Sequence, residues 1–264
     1  MLKNITLGQY FPIDSVIHRL DPRTKIILLF CVITLIFIIK TFFGYAVLLF
    51  LLVLCILLSK VNAIVVLKSL KPVLFIIVFT FILNIFFMQE GETIIRLWFL
   101  NITPGGLSRA AFLAFRLIFL VMFSTFLTLT TSPIQFTDAI ERLLKPLNYV
   151  RFPVHEMALM MTIALKMIPV LIEETDKIMS AQMARGANFK TGNIFKRIYG
   201  MVPILIPLFV CAFRRADELA QAMESRCYMG GHGRTRLKQL KYAPRDLMAY
   251  IMFLAIAIPC GIWL

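Results

Sequence analysis

The chain has 264 residues, 60% of them hydrophobic and 16% charged, and its mean hydropathy of +0.85 lies outside the range of soluble globular domains. It reads as a membrane protein. A net charge of +14 would suggest nucleic acid in a soluble chain, but here topology and attraction to anionic lipid account for the basic excess, and no nucleic-acid partner is expected.

The first 25 residues hold Lys3, Asp14, His18, Arg19, Asp21, Arg23 and Lys25 with no apolar core or small-residue cleavage site, so no cleavable signal is expected. Within "HRLDPRTK" (18–25), Asp21 followed by Pro22 is a helix-start signal beside three basic residues at the membrane edge. It leads into the first apolar run, 26–39, which is short for a span, so its ends are expected to shift. The second run is 42–58. Lys60, Lys68 and Lys71 mark the next cytoplasmic turn, and Pro72 opens the third run, 72–88. An external loop, 89–106, carries Glu90 and Glu92 and closes on the turn signal "TPGG". In the fourth run, 107–131, Arg109 and Arg116 fall seven residues apart on one helix face. Arg116 is the deeper; an arginine there is a functional candidate, and it can equally snorkel or tie adjacent helices through their carbonyls.

Beyond the fourth run the character changes. Ser132-Pro133-x-Gln135 is a capping box with proline at the first helical position. Phe136, Ala139, Ile140, Leu143, Leu144 and Leu147 then follow at helical spacing, opposite Asp138, Glu141, Arg142 and Lys145. This amphipathic helix, 133–149, is expected on the membrane surface or against other helices. Two long helical segments follow, about 153–190 and 194–230, joined by "KTGN", closed by "GGHG" and bent at Pro169, Pro203 and Pro207. Their first halves, 157–172 and 198–213, are apolar enough for two further spans. That alternative places five basic residues of 173–197 outside, so a cytoplasmic pair partly embedded at the interface is preferred. A fifth apolar run, 246–264, ends the chain.

With five spans, 24 of the 28 Lys and Arg fall on one side. The positive-inside rule makes that side cytoplasmic, with the N-terminus inside and the C-terminus outside. The expected fold is an all-α membrane protein of about five transmembrane helices plus a cytoplasmic coupling domain of one amphipathic and two long crossed helices. Its parts are an N-terminal membrane domain, 1–131, a coupling domain, 132–243, and a final transmembrane helix, 244–264.

The two long helices carry one pattern twice. "DKIMSAQMARG" (176–186) and "DELAQAMESRC" (217–227) align with a shift of 41 positions, Asp176 on Asp217, Ile178 on Leu219, Ala181 on Ala222 and Arg185 on Arg226. Ile168, Ile172, Met179 and Met183 form one stripe; Ala212, Ala216, Leu219 and Met223 form another. Ala181, Ala184, Ala216, Ala220 and Ala222 are small enough for two backbones to approach closely. Met and Ala stripes are more often packing than recognition. They do not explain why each helix ends on arginine among small residues, Ala184-Arg185-Gly186 and Ser225-Arg226-Cys227. Such an end can enter a groove on another protein, where the arginine makes bidentate bonds to a carboxylate.

Competing functions fare less well. No G-x-x-x-x-G-K-[ST] is present, so the chain itself has no P-loop for ATP. His155-Glu156 begins like a zinc-protease motif, but Leu159 stands where the second histidine belongs, and His18 and His232 offer no better constellation for an enzyme. Cys31, Cys55, Cys211, Cys227 and Cys260 make no metal-ligand spacing or disulfide framework. A stand-alone secondary carrier would want helix-breaking or charged residues in paired spans, whereas the prolines gather in the two long helices.

Along nearly its whole length the chain resembles the transmembrane T component (EcfT) of energy-coupling factor transporters, within the ABC superfamily, and most of all the shared type of Gram-positive bacteria. The resemblance is carried by "HRLDPRTK", "LTLTTSPIQFTDAIERLLKPL" (127–147), "PVHEMALMMTIALKMIPVLIEETDKIMSAQMARG" (153–186), "VPILIPLF" (202–209), "RRADELAQAMESR" (214–226) and "GRTR" (233–236). It implies that two Ala-Arg-Gly tips dock into two ABC-type ATPase subunits (EcfA and EcfA'), and that the membrane helices hold a substrate-binding S component for a vitamin or other micronutrient. It further implies a bacterial cell membrane location and a chain without catalytic, cofactor-binding or metal residues, with ATP and Mg held by the ATPases. By position, Ala184, Arg185 and Gly186 carry the first tip intact. In the second, Ser225 and Cys227 replace alanine and glycine around Arg226, so helix termination is expected to move to Gly230 and Gly231. Ala181, Met183, Ala216, Ala220, Ala222 and Met223 are the expected packing positions between the coupling helices.

Overall fold

The computed structural model describes residues 10–87, 95–97, 100–102, 104–150, 152–187, 194–230, 240 and 242–262. Glu90, Glu92, the turn 190–193, His232 and the stretch 233–236 lie outside the described residues. Nine helices follow in order among the described residues: α1 Pro22–Ile38, α2 Phe42–Ser59, α3 Ala63–Lys68, α4 Leu74–Phe87, α5 Pro104–Thr130, α6 Pro133–Leu144, α7 Val154–Ala184, α8 Ile194–Glu224 and α9 Pro244–Ile262. The expected all-α membrane class holds. A three-residue antiparallel hairpin, β1 Ile95–Leu97 with β2 Leu100–Ile102, is an addition within the loop between α4 and α5.

Helix ends follow local chemistry. Asp21 caps α1 by accepting from the Arg23 N–H, with Pro22 at the first turn, so the helix that carries the first apolar run starts at Pro22, where the Asp-Pro signal places it. Thr41 caps α2, and Gly44 permits the tight α1–α2 approach: a Cβ there would stand 2.6 Å from Ile39 Cγ2. The capping box is formed, with Ser132 N–H to Gln135 Oε1 and Gln135 N–H to Ser132 Oγ, both at 3.4 Å. Pro169, Pro203 and Pro207 sit inside continuous 31-residue helices.

By length and composition, four described helices can cross a membrane: Phe42–Ser59, Gly105–Thr130, Val154–Ala184 and Tyr199–Glu224. At 17 and 14 residues, α1 and α4 span only about 26 and 21 Å. The long pair differs from the others in packing, since 6% of each apolar window in α7 and α8 is buried against 33% in α2 and 22% in α5.

The chain divides into two compact units, one of Gly8–Ala139 with Lys238–Leu264, the other of Ile140–Leu237. In the first, α1, α2, α3 and α5 close over Val32, Ile36, Leu48, Leu52, Val66, Phe123 and Leu129. Tyr45 packs its ring 5.8–5.9 Å from Phe112, Phe115 and Phe119. One end of this unit gathers the starts of α1 and α9 and the last turn of α5. Asp246, 2% exposed, takes the Asp21 N–H on Oδ1 and the Ala243 N–H on Oδ2, each at 2.8 Å, so one carboxylate caps its own helix and reaches the start of α1. Arg23 forks onto Asp21, at 2.7 Å for its shortest bond, donates to the Leu240 carbonyl and lies 4.1 Å over the Tyr242 ring. Lys25 donates 2.8 Å to the Thr130 carbonyl, meeting one of the orphan acceptors at the end of α5. His18 sits beside them, its Nδ1 2.7 Å from Ser15 Oγ, and burial together with the Lys25 ammonium holds its pKa below the usual histidine value.

In the second unit α7 packs against α8, and half-buried residues recur along both: Leu208, Cys211, Ala212, Arg215, Leu219 and Met223 on α8 after the buried Ile204, and Leu171, Ile172, Thr175, Ile178, Met179 and Gln182 on α7. Glu174 and Arg215 bridge the pair at 3.7 Å. Near its start, α7 is pinned by His155 Nδ1 to Glu141 Oε1 at 3.1 Å. His155 therefore pairs with Glu141, fourteen positions back, and not with the Glu156 beside it.

Candidate functional site

The two arginine tips end their helices in one way. At the first, Arg185 is the C-cap, Gly186 takes φ +90, the Gly186 N–H bonds the Met183 carbonyl at 3.0 Å and the Ala187 N–H bonds the Gln182 carbonyl at 3.0 Å. That pair of bonds, six-to-one around five-to-two, is a Schellman ending, which meets two of the carbonyls an ending helix orphans. At the second, the Cys227 N–H bonds the Glu224 carbonyl at 2.8 Å and the Tyr228 N–H bonds the Met223 carbonyl at 3.0 Å, with Cys227 at φ +54. The motif repeats bond for bond at the 41-residue shift. Termination does not move to Gly230 and Gly231, contrary to the sequence expectation. Two reversed-ladder bonds outweigh the strain of one β-carbon in the left-handed region, which is about 1–2 kcal/mol.

Gly186 needs its freedom for conformation alone, since nothing lies within 4 Å of where a Cβ would stand. Ser225 adds something alanine cannot: its Oγ donates to the Ala222 carbonyl at 3.1 Å, satisfying one more acceptor in the last turn. Ala184, Arg185, Gly186, Ser225, Arg226 and Cys227 are all exposed. Arg185 and Arg226 make no ion pair among the described residues, and each stands at the negative, C-terminal end of its own helix. Chemically these are two matching projections, each a cation on a rigid helix end with a small residue on either side.

Of the expected packing positions, Met223 is half-buried in the α7–α8 contact. Ala181, Met183, Ala216, Ala220 and Ala222 stand exposed. The side-chain contact seen between the two helices is the ion pair of Glu174 and Arg215, at 3.7 Å. In the other unit Arg109 is exposed on α5, while Arg116 is half-buried and donates 3.3 Å to the Phe37 carbonyl, with its guanidinium 5.1 Å over the Phe37 ring. Arg116 thus ties α5 to the last turn of α1.

Sequence reasoning missed Asp246 and the Glu141–His155 pair. The one available signal for Asp246 was the echo between Asp21-Pro22-Arg23 and Pro244-Arg245-Asp246, two proline-led helix starts each carrying an arginine and a carboxylate.

Comparison with known proteins adds independent findings. The cobalt transport protein family, CbiQ, matches residues 14–237. The chain is 49% identical to an energy-coupling factor transporter transmembrane protein EcfT of Clostridium kluyveri, covering 100% of this chain and 99% of the relative. Proteins of the same description from Bacillus subtilis and Lactococcus lactis are 44% and 42% identical, over 97% and 99% of this chain and 97% and 98% of theirs.

Proposed function

The chain belongs to the family of energy-coupling factor transporter transmembrane proteins, EcfT, multi-pass membrane components of transporters, and on that premise we propose that it is the coupling subunit of an ATP-driven importer. In this reading Arg185 and Arg226 dock into two ABC-type ATPase subunits, which hold ATP and Mg. The chain supplies no catalytic residue. A membrane-embedded S component carries the vitamin or other micronutrient. Residues 1–131 and 244–264 form the membrane part and 132–243 the coupling part. Closure of the two ATPases moves the tips, α7 and α8 transmit that movement, and the S component reorients to release its cargo inward.

The observation that carries the reading is the twin Schellman ending, which presents two exposed arginines in one geometry at equal register. A transmission with two similar inputs needs two similar plugs. The orientation is supported by the 24 basic residues that five spans would put on one side and by the shared end at which α1 and α9 start and α5 stops. That end is then cytoplasmic, with the N-terminus inside and the C-terminus outside.

The test is charge reversal at each tip. Arg185→Glu and Arg226→Glu each strand a carboxylate in an acidic groove, a loss of roughly 2–5 kcal/mol in ATPase binding. Each variant should fail to co-purify one ATPase while remaining in the membrane. Normal co-purification and uptake by both would sink the docking assignment.

A further inference from the structure

The joint between α1 and α9 borders an apolar groove. It encloses about 260 Å³ between α1, α2, α5 and α9, walled by residues such as Leu29, Val32, Leu51, Phe123, Met252 and Phe253. The charged residues in its lining are Lys25 and Arg245, both cations, at the end where α1 and α9 begin. Lys25 is 6% exposed, and its Nζ bonds the carbonyl oxygens of Thr130 at 2.8 Å and His18 at 3.4 Å. Carbonyls orient an ammonium without neutralising it, and two bonds leave its third N–H for another acceptor. The neighbouring carboxylates act on Lys25 through space and make their hydrogen bonds elsewhere, Asp21 with Arg23 and Asp246 with two backbone N–H groups. Arg245 is exposed beside the mouth.

An occupant must therefore be apolar along most of its length and anionic at one end. We propose that this groove binds an anionic phospholipid, with an acyl chain between the four helices and the headgroup phosphate at Lys25 and Arg245. A neutral lipid would fill the walls and leave Arg245 and the third Lys25 N–H without an anionic acceptor. A free phosphate would meet the cations and leave the walls empty. The site needs only that this unit stands in a bilayer, and it is independent of how the arginine tips are used.

The test is photo-crosslinking of the intact membrane complex in phosphatidylcholine nanodiscs carrying a trace of diazirine-labelled phosphatidylglycerol, with adducts mapped by mass spectrometry. Adducts should fall on α1 and α9, and unlabelled phosphatidylglycerol should compete at least about fivefold better than phosphatidylcholine, the worth of one cation near a membrane surface. Arg245→Gln should lower labelling about fivefold. Ala249→Phe should abolish it by filling the apolar wall, while labelling of other helices persists. Lys25 is left intact because it also holds the end of α5. Equal competition by the two lipids, equal protection by millimolar inorganic phosphate, adducts that avoid α1 and α9, or unchanged labelling in both variants would each overturn the proposal.

Discussion

Cys227→Gly tests how the second arginine tip is held. The β-carbon of Cys227 stands at φ +54, where an L-residue is about 1–2 kcal/mol less favourable than in a right-handed conformation. Removing it relieves that strain, while the wider freedom of glycine in the unfolded chain takes back about 0.5–1 kcal/mol. The net gain is roughly 0.5–1 kcal/mol, local to the helix end. It is read most directly by amide hydrogen exchange, because the Cys227 and Tyr228 N–H groups close the motif on Glu224 and Met223. A gain of that size slows their exchange roughly two- to fivefold, with the rest of α8 unchanged. Gly186→Ala is the mirror experiment: with no atom near the new Cβ, the cost is conformational alone, and exchange at Gly186 and Ala187 should quicken by a similar factor. Unchanged exchange in Cys227→Gly, or protection running on through Met229 to Gly230, would show that the helix does not end at Cys227 and refute the reasoning.

Two further outcomes follow from the structure. Asp246→Ala leaves the Asp21 and Ala243 N–H groups without their acceptor in a site 2% exposed, and should destabilise the solubilised protein by roughly 2–4 kcal/mol, read as a lowered thermal transition; Asp246→Asn, which keeps one acceptor oxygen, should cost less. A double-mutant cycle of Glu174→Gln and Arg215→Gln should return no more than about 0.5 kcal/mol of coupling, since the pair is partly solvated and its contact is 3.7 Å, so thermal stability should barely change.

The sequence by itself determined the helical class, the membrane character and the two tips. Each of these rests on local information: apolar runs, charge bias between runs, caps such as Asp21-Pro22, and a pattern repeated at a fixed shift. Part of the repeat's meaning was also local, because a Schellman ending involves only residues within six positions of one another. Yet substitution by Cys227 misled the reading of where α8 stops, since propensity favoured glycine while the two closing hydrogen bonds favoured the earlier turn.

Only the tertiary structure decided which faces meet. The alanines looked like the helix contact because small residues permit close approach, yet Ala181, Ala216, Ala220 and Ala222 stand exposed, while Glu174 and Arg215 join the two helices. For Arg116 the sequence favoured a structural role, snorkelling or tying helices through their carbonyls, and the Phe37 carbonyl beside it, 79 positions away, makes it a tie. The bond from the Asp21 N–H to Asp246 crosses 225 positions and joins two helix starts into one end, with Lys25 fastening α5 to it. Hydropathy and periodicity describe how a residue meets solvent or lipid along its own helix. The partner that satisfies a buried donor is chosen by how distant helices pack, and the residues beside it carry at most an echo of that choice.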